Sequence, residues 1–402
     1  MTNGSSPAPS RYDLTEYKNF FYDFLTLGLA LLNSLPFALY FLTALLIGLV
    51  LARPVMWLCQ RTGWVDKPDA RKKHSGAIPL SGGLLVLLTV STTALISQAP
   101  GFNLGLVLAA LLIFAIGFYD DKYPLRARYR FGCHLLAALL LIFSTDTVVQ
   151  YLGQCFGPVP VSLGILAIPF TMIAIPGVVN AFNMVDGADG LSGGQLLAAI
   201  FWLIVAAGAV PIIGTNHNAL DEIGPVLLPI AGALMAFLLF NMRTPWRRRA
   251  SMFLGDGGSM MLGLIIAWAV IQLANGYNIN GLGAASALWI VAVPLFDMFS
   301  AIIRRVAEGR TPMSPDRKHM HHLLIERGMS VARAVLAMNV TAFVSGAVGV
   351  LGWMFDVPQY YLFWLLMTLF GAYLLYARRF WQTHDQRLAN RQEMFKAAPE
   401  QA

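Results

Sequence analysis

Two carboxylates and two amides are grouped in the middle of the chain, in the stretch 180–194. Asp186 and Asp189 are separated by two residues, so a single turn can direct both side chains the same way. Asn180 and Asn183 add neutral donors and acceptors, and the glycines among them let a ligand approach the backbone closely. We therefore predict that this stretch binds a polar ligand. The alternative is a flexible loop between two membrane helices.

Two adjacent carboxylates, Asp120 and Asp121, close a predicted helix. The C-terminal end of a helix is unfavourable for negative charge, so the pair requires compensation. A divalent cation can supply it, and so can the arginines that follow, Arg126, Arg128 and Arg130. The alternative is a solvated helix end without a function.

Asp256 lies at the predicted start of another helix, between two glycines and close to the basic run 247–249. Alone, it is equally well interpreted as an N-cap or as part of a phosphate or metal site. Together with Asp120 and Asp121 it favours Mg²⁺, because carboxylate oxygens and substrate phosphates are the usual ligands of that ion.

Asp297 is placed inside a strongly apolar predicted span. An ionisable side chain is costly there, which makes it a functional candidate. The structural alternative is an ion pair with Arg304 or Arg305, about two turns further along the helix.

A basic segment near residue 320 combines Arg317 with three histidines, His319, His321 and His322. Histidines this close in sequence seldom reach one tetrahedral zinc ion, and no cysteine assists them. We predict a cationic arm that binds phosphates and a nucleotide.

A second basic segment contains Lys67, Arg71 and His74. Basic residues beside a membrane span often attract anionic lipid headgroups. That interpretation is compatible with a role in binding an anionic substrate.

The surrounding elements are predicted from composition. Of 402 residues, 57% are hydrophobic and only 12% are charged, whereas a soluble protein has about 25% charged residues. Runs of about 20 apolar residues predict an all-α polytopic membrane protein with about eleven transmembrane helices. The net charge of +7 is then explained by basic loops and not by nucleic-acid binding. The spans are predicted near 26–51, 78–97, 104–119, 132–150, 163–179, 194–213, 225–241, 259–275, 283–302, 334–353 and 360–377.

Lysine and arginine are concentrated in alternate loops and after residue 377. Because such loops face the cytoplasm, we predict an external N-terminus, a cytoplasmic C-terminus and every polar cluster on the cytoplasmic face. The predicted parts are an N-terminal periplasmic segment 1–25, an integral membrane domain 26–377 and an exposed basic cytoplasmic tail 378–402.

Carboxylates, cations and glycines on one membrane face predict phosphoryl transfer with Mg²⁺ and a lipid co-substrate. From another class, a transporter for a nucleotide sugar or a lipid is the alternative. Transporters place polar sites near the bilayer midplane and contain inverted repeats, and this sequence shows no repeat. A structural scaffold would leave the acidic clusters unexplained.

Six ordered motifs resemble the polyprenyl-phosphate N-acetylhexosamine-1-phosphate transferases, the glycosyltransferase 4 or MraY–WecA family. The last motif is similar to its WecA type. Arg128 departs from the pattern, since such sequences often have Lys there. The motifs are Asp-Lys-Pro…Arg-Lys-Lys-His at 66–74, Asp120-Asp121, Asn-Met-Val-Asp-Gly-Ala-Asp-Gly-Leu at 183–191, Gly-Asp-Gly-Gly-Ser at 255–259, Pro-Leu-Phe-Asp at 294–297 and Ser-Pro-Asp-Arg-Lys-His-Met-His-His at 314–322.

The resemblance implies transfer of N-acetylglucosamine 1-phosphate from its UDP donor to undecaprenyl phosphate, releasing UMP. It implies a bacterial inner-membrane enzyme with a cytoplasmic active site, which starts lipopolysaccharide O-antigen or related polysaccharide synthesis. Mg²⁺ would be the cofactor, with Mn²⁺ as a substitute. Another UDP-N-acetylhexosamine stays open as the donor, and a homodimer stays open as the assembly.

The resemblance also assigns roles to residues. Asp120 or Asp121 would activate or position the lipid phosphate, and Asp121 and Asp256 would hold the metal. Direct attack by the lipid phosphate is favoured, and Asp256 as a covalent nucleophile is the alternative. The remaining residues would bind substrate: Lys67, Arg71, His74, Asn183, Asp186, Asp189, Asp297, Arg317, His319, His321 and His322.

Overall fold

The computed structural model describes residues 35–66, 76–97, 103–210, 219–244, 246–247, 249–275, 281–314 and 316–397. The described chain is almost entirely helical, with two short antiparallel strand pairs. The predicted segment 1–25, the first residues of the first predicted span, and Lys67, Arg71 and His74 all lie outside these residues.

Thirteen α-helices run through the described residues and are numbered in chain order. Strands β1 (Val65–Asp66) and β2 (Ile78–Pro79) pair with each other, as do β3 (Tyr151–Gly153) and β4 (Val161–Ser162). The helices are α1 (Leu35–Thr62), α2 (Gly82–Ser97), α3 (Leu104–Asp120), α4 (Ala127–Thr145), α5 (Ala167–Val185), α6 (Leu191–Ala209), α7 (Ala219–Asn241), α8 (Gly255–Asn275), α9 (Ala284–Ile290), α10 (Ala292–Ala307), α11 (Met320–Glu326), α12 (Val331–Met354) and α13 (Gln359–Ala397).

The fold class agrees with the sequence-based prediction of an all-α polytopic membrane protein. Eight of the described helices are long and apolar enough to cross a membrane, or nine when α9 and α10 count as one broken span. The shorter apolar helices α2 and α3 correspond to two further predicted spans. Every one of the eleven predicted spans therefore overlaps a helix, while the number that crosses the bilayer and the orientation stay predictions.

One pair of predicted boundaries is wrong in a way that affects function. The stretch 180–194 between two predicted spans is mostly helical, because α5 continues to Val185 and α6 begins at Leu191. A helix satisfies its own backbone hydrogen bonds, which favours its continuation in apolar surroundings. The predicted span 283–302 corresponds to α9 and most of α10, which meet at an angle of 83°.

The segment after residue 377 is not a wholly exposed tail. Helix α13 continues through it to Ala397. The side chain of Trp381 is buried and packs with Leu323 of α11. A salt bridge of 2.6 Å also joins Asp385 to Lys318, so this part of the helix is tied to the segment that contains the histidines.

Helix α8 is the most buried of the candidate spans and packs against α3 and α5. Its first turn touches α3 at Gly117, where a Cβ atom would lie 2.6 Å from the Gly257 nitrogen and 2.7 Å from the Asp256 carbonyl oxygen. Since these neighbours are backbone atoms, only a residue without a side chain allows the observed approach. The close contact places the end of α3 beside the start of α8.

Replacing Gly117 with alanine is expected to lower the free energy of unfolding by about 1–3 kcal/mol, because the added methyl group forces α3 away from α8. Thermal unfolding in detergent measures this loss. Gly132→Ala on α4 is the matched control, since its Cβ would meet nothing within 4 Å. Equal unfolding temperatures for the two variants would contradict the packing described here.

Candidate active site

Side chains from three helices meet at the first turn of α8. Asn183 of α5 donates through Nδ2 to Asp256 Oδ1 at 3.0 Å and lies 3.1 Å from Ser259 Oγ. Arg130 of α4 donates through Nη1 to the other oxygen of Asp256, at 3.2 Å. The fold thus brings together Asn183 and Asp256, which belong to separate sequence motifs and are 73 positions apart.

Arg130 is also held by Asp120, the last residue of α3. Its Nη1 atom lies 2.6 Å from Asp120 Oδ2, and the second oxygen of Asp120 accepts the Leu125 N–H at 2.5 Å. Both oxygens of this buried carboxylate are therefore occupied within the protein. The geometry makes Asp120 a positioning residue for Arg130.

Arg128 does not join this cluster. It is exposed, and its guanidinium lies over the ring of Tyr129, 4.9 Å from the centroid. Of the three arginines predicted to compensate the carboxylates at 120 and 121, Arg130 is the one that forms salt bridges with site carboxylates among the described residues.

Asp121 caps the start of α8. Its Oδ1 accepts the backbone N–H of Asp256 at 2.8 Å, and its Oδ2 accepts that of Gly257 at 3.4 Å. The positive end of the helix dipole favours a carboxylate at this position. Asp121 therefore fixes where α8 begins and, with it, where the Asp256 side chain lies.

The carboxylates repel one another. Burial, followed by the charge of Asp256 and then that of Asp189, raises the pKa of Asp186 to about 8. Burial and the neighbouring charge of Asp256 also raise the pKa of Asp121 above its usual value. The described residues thus leave excess negative charge here, which a bound cation would offset.

The donor set is compatible with Mg²⁺. Among the described residues, no three His, Cys, Asp or Glu side chains form a group that could hold a metal ion by themselves. Mg²⁺ usually takes only one or two protein carboxylates and completes its octahedron with water and substrate phosphates. Asp256 lies close enough to Asp121 and to Asp186 for their charges to interact, so one or two carboxylates are present for such an ion.

Asp186 and Asp189 do not point the same way. Asp189 Oδ2 accepts a 2.7 Å bond from Arg243 Nε and a 3.4 Å bond from the Ala250 N–H. Asp186 instead lies close enough to Asp256 for their charges to interact. The turn between α5 and α6 therefore directs one carboxylate into the cluster and the other toward the loop after α7.

Asn241, the last residue of α7, was not predicted as a site residue. Its Oδ1 accepts the N–H of Gly190 at 2.6 Å, and its Nδ2 donates to the carbonyl of Met252 at 2.8 Å. It thereby joins the turn that contains Asp186 to the loop that leads into α8. The only signal in the sequence is an amide that ends a long apolar run.

Asp297 does not form the ion pair with Arg304 or Arg305 that was the structural alternative to a functional role. It is 1% exposed, and its oxygens accept from the Met320 N–H at 2.7 Å and contact His319 Nδ1 at 2.9 Å. Its partners approach from the connection that follows α10. Asp297 therefore anchors the histidine segment.

Arg304 and Arg305 bind Asp316 instead, at 2.8 and 3.0 Å. Hydrogen bonds and charge from the two guanidinium groups hold the pKa of Asp316 well below its usual value, against the effect of burial. Asp316, which was not predicted as a site residue, thus orders the connection that leads to His319.

His321 is buried, and neither of its ring nitrogens has a hydrogen-bond partner in the described structure. Burial and then the neighbouring His322 lower the pKa of His321 to about 3, so the ring is neutral near pH 7. It packs against Gly187, where a Cβ would lie 2.8 Å from His321 Cε1. An unpartnered imidazole beside the Asp186 turn indicates a ligand-binding surface.

His322 and Arg317 complete this basic surface. The rings of His322 and His321 lie 4.1 Å apart and nearly perpendicular. Burial lowers the pKa of His322, and the charges of His319 and then Arg317 lower it further. Arg317 itself is exposed.

An apolar groove of about 690 Å³ leads to this cluster. Its walls come from α5, α8 and both arms of the α9–α10 bend. Its polar lining residues include Arg130, Asn180, Asn183, Asp316 and His319. Apolar wall residues include Phe170, Ile173, Val270, Leu288, Leu295 and Phe299.

Comparisons with known proteins find similar sequences. The family model for glycosyl transferase family 4 matches residues 103–274. An undecaprenyl-phosphate alpha-N-acetylglucosaminyl 1-phosphate transferase of Yersinia pestis is 33% identical over 329 residues, 80% of this chain and 86% of that protein. Proteins with the same name from Escherichia coli O157:H7 and Haemophilus influenzae are 31% and 30% identical, covering 86% and 91% of their own lengths.

Proposed function

The chain belongs to glycosyl transferase family 4, and on that premise we propose that it transfers N-acetylglucosamine 1-phosphate from UDP-N-acetylglucosamine to undecaprenyl phosphate. The products are UMP and a lipid diphosphate that carries the sugar. One observation supports this proposal most strongly: a single groove is lined both by apolar side chains and by Arg130, Asn183 and His319. A long hydrocarbon chain and its phosphate require that combination of surfaces.

The polyprenyl chain lies in the groove between α5, α8 and α10. Phe170, Ile173 and Phe299 have partly exposed apolar surfaces there, each at least 42% exposed. Covering these surfaces with a hydrocarbon chain is favourable by about 25 cal/mol of free energy for each Å² of apolar surface that is removed from water. The groove directs the phosphate end of the lipid toward Arg130 and Asn183.

Arg130 and Asn183 bind the lipid phosphate, since both donate hydrogen bonds toward the α8 N-terminus. A phosphomonoester with a second pKa near 6 is already mostly ionised at neutral pH. No residue therefore needs to remove a proton before attack. Arg130 and Asn183 need only orient the phosphate oxygen of the lipid for its attack on the donor.

The acceptor oxygen forms a bond to the β-phosphorus of the donor, and the bond from that phosphorus to the oxygen bridging it to the α-phosphorus breaks. The electron pair leaves with UMP. Mg²⁺, held by Asp121 and Asp256 and replaceable by Mn²⁺, would neutralise phosphate charge during this exchange. Asp186 adds a third carboxylate within reach of the same phosphates.

The donor binds on the side of the histidines. His321 has two unpartnered ring nitrogens beside the Asp186 turn, and His322 and Arg317 extend the same surface. Asp297 acts here through His319, which it holds at 2.9 Å. Asp189 is proposed to support the nucleotide side through Arg243.

The proposed setting is the inner membrane of a bacterium, with the active site toward the cytoplasm. The lipid product would start a cell-surface polysaccharide such as O-antigen. Lys67, Arg71 and His74 are proposed as further contacts to anionic substrate. Whether the enzyme acts as a monomer or a homodimer does not enter the reaction proposed here.

A transfer assay tests the function with purified protein, undecaprenyl phosphate, Mg²⁺ and radiolabelled UDP-N-acetylglucosamine. We expect equal amounts of UMP and labelled lipid diphosphate, and no product after EDTA until Mg²⁺ is restored. Product with a different UDP-N-acetylhexosamine alone would correct the donor. Uptake of label into sealed vesicles without a chemical product would replace the transferase proposal with transport.

A further inference from the structure

A second cavity, of about 480 Å³, lies between the end of α11 and the extension of α13. Three guanidinium groups line it, from Arg327, Arg379 and Arg387. Tyr376, Phe380 and Thr383 complete its α13 wall. We call it the arginine pocket. It contains none of the residues assigned above to the transfer reaction.

The α13 wall of the arginine pocket is one face of a helix. Tyr376, Arg379, Thr383 and Arg387 follow one another at intervals of three or four residues, so their side chains lie above one another. Arg378, one position away, is exposed and does not line the pocket. The basic character of the cavity therefore comes from a specific face and not from a uniformly basic helix.

The three guanidinium groups of the arginine pocket outnumber its one acidic lining residue, Glu326. No described carboxylate lies within salt-bridge distance of Arg327, Arg379 or Arg387. The Arg327 guanidinium instead lies over Tyr376 and Phe380, at 5.2 and 4.9 Å from the ring centroids. The one acidic lining residue, Glu326, faces His384 at 3.5 Å.

The arginine pocket lies at the level where a membrane ends. About 20 helical residues cross a hydrocarbon core of about 30 Å, so a span that begins at Gln359 leaves the core near Arg378. Tyr376, 45% exposed, lines the pocket, and Leu375, 61% exposed, precedes it on α13. A ligand here meets cations at one end and apolar surface at the other.

We propose that the arginine pocket binds the phosphodiester headgroup of an anionic phospholipid. Guanidinium groups bind phosphate oxygens through paired hydrogen bonds, and basic pockets beside membrane helices suit acidic lipid heads. The acyl chains lie along Leu375. Inorganic phosphate can form the same hydrogen bonds as the headgroup, but it has no apolar part that could contact the adjoining surface.

Such a lipid would join α11 to α13. Arg327 directly follows α11, which contains His321 and His322, while Arg379 and Arg387 belong to α13. A headgroup held by both sides stabilises the position of the histidines. If the lipid bridges the two helices in this way, the transfer reaction should be faster in anionic membranes. That expectation rests on the proposed transferase function. The binding of the lipid does not depend on it.

Binding is measured without turnover, by native mass spectrometry of the full chain released from phosphatidylcholine nanodiscs that contain a minor fraction of phosphatidylglycerol. We expect one retained phosphatidylglycerol in the unaltered protein. Arg379→Gln with Arg387→Gln should weaken its binding about 25-fold, at about fivefold for each lost hydrogen bond from a guanidinium group to the headgroup phosphate. Lysine at both positions should restore most of the binding because the charge returns.

Arg378→Gln is the matched control, on the same helix turn but outside the arginine pocket. It should bind phosphatidylglycerol as the unaltered protein does. An equal loss in this control would show a diffuse electrostatic effect and overturn the site. Displacement of the lipid by millimolar inorganic phosphate, with phosphate retained in pure phosphatidylcholine, would overturn the lipid assignment.

Discussion

Asp256→Asn is expected to lower the transfer rate by about 10³-fold, the scale of losing a preorganised electrostatic contact. The amide keeps the size of the side chain and its contact with Asn183, but it removes the charge that would bind Mg²⁺ and that Arg130 contacts. Initial rates at saturating Mg²⁺ and both substrates measure the loss. The unfolding temperature should change little, because the side chain is partly exposed.

Asp146→Asn is the matched control for this variant. Asp146 follows the other end of α4, is exposed, and has a left-handed backbone that asparagine also adopts. It should keep the full transfer rate. More than a tenth of the normal rate in Asp256→Asn would remove this carboxylate from the reaction.

The role of Asp256 differs between direct attack by the lipid phosphate and a covalent mechanism, so it can be used to distinguish them. A covalent carboxylate intermediate would let labelled UMP exchange into UDP-N-acetylglucosamine without any lipid acceptor. Because Asn183 and Arg130 already donate to its two oxygens, the Asp256 carboxylate is a poor nucleophile in this geometry. We expect no exchange without lipid, and acceptor-independent exchange would establish the covalent route.

Arg130→Gln is expected to reduce the transfer rate by about 10²–10³-fold. The change leaves Asp120 buried without its guanidinium partner and removes the donor proposed to orient the lipid phosphate. Arg130→Lys should recover only part of the rate. A lysine nitrogen can replace Nη1, which contacts both Asp120 and Asp256, but it lacks the further guanidinium N–H groups that would bind the lipid phosphate. Kinetics with varied undecaprenyl phosphate measure both variants.

Arg128→Gln provides the comparison for Arg130. The two arginines share a helix and differ by two positions, but Arg128 is exposed over Tyr129. Its replacement should change the rate less than threefold, in keeping with the small value of exposed charges. Equal losses at the two positions would mean that general basicity of α4, and not the bridge to Asp256, supports the reaction.

Local patterns predicted where several candidate residues lie in the helices. Asp120 and Asp121 were placed at a helix end, and Asp256 at a helix start, because glycines and apolar periodicity mark such boundaries within a few residues. The long apolar runs likewise predicted the helical membrane fold, since a bilayer crossing needs about 20 such residues. These inferences use neighbouring residues only.

Predictions that needed distant contacts were incomplete. For Asp297 the sequence offered only arginines on its own helix as alternative partners, whereas its partner His319 lies 22 residues away. Nothing local distinguishes Arg130 from Arg128, because only the approach of α3 and α8 makes one of them a bridge. Asn241 joins two loops that are remote in sequence, so its role becomes visible only in the folded chain.

The central claim is that the lipid acceptor lies in the groove between α5, α8 and α10 with its phosphate at Arg130 and Asn183. Photo-crosslinking with an undecaprenyl phosphate analogue that has a diazirine in its first isoprene units tests it most directly. Mass spectrometry should locate the adducts on α5 and α10, near Ile173 and Phe299, and unlabelled undecaprenyl phosphate should prevent them. Protected adducts confined to other helices in an active preparation would contradict the claim.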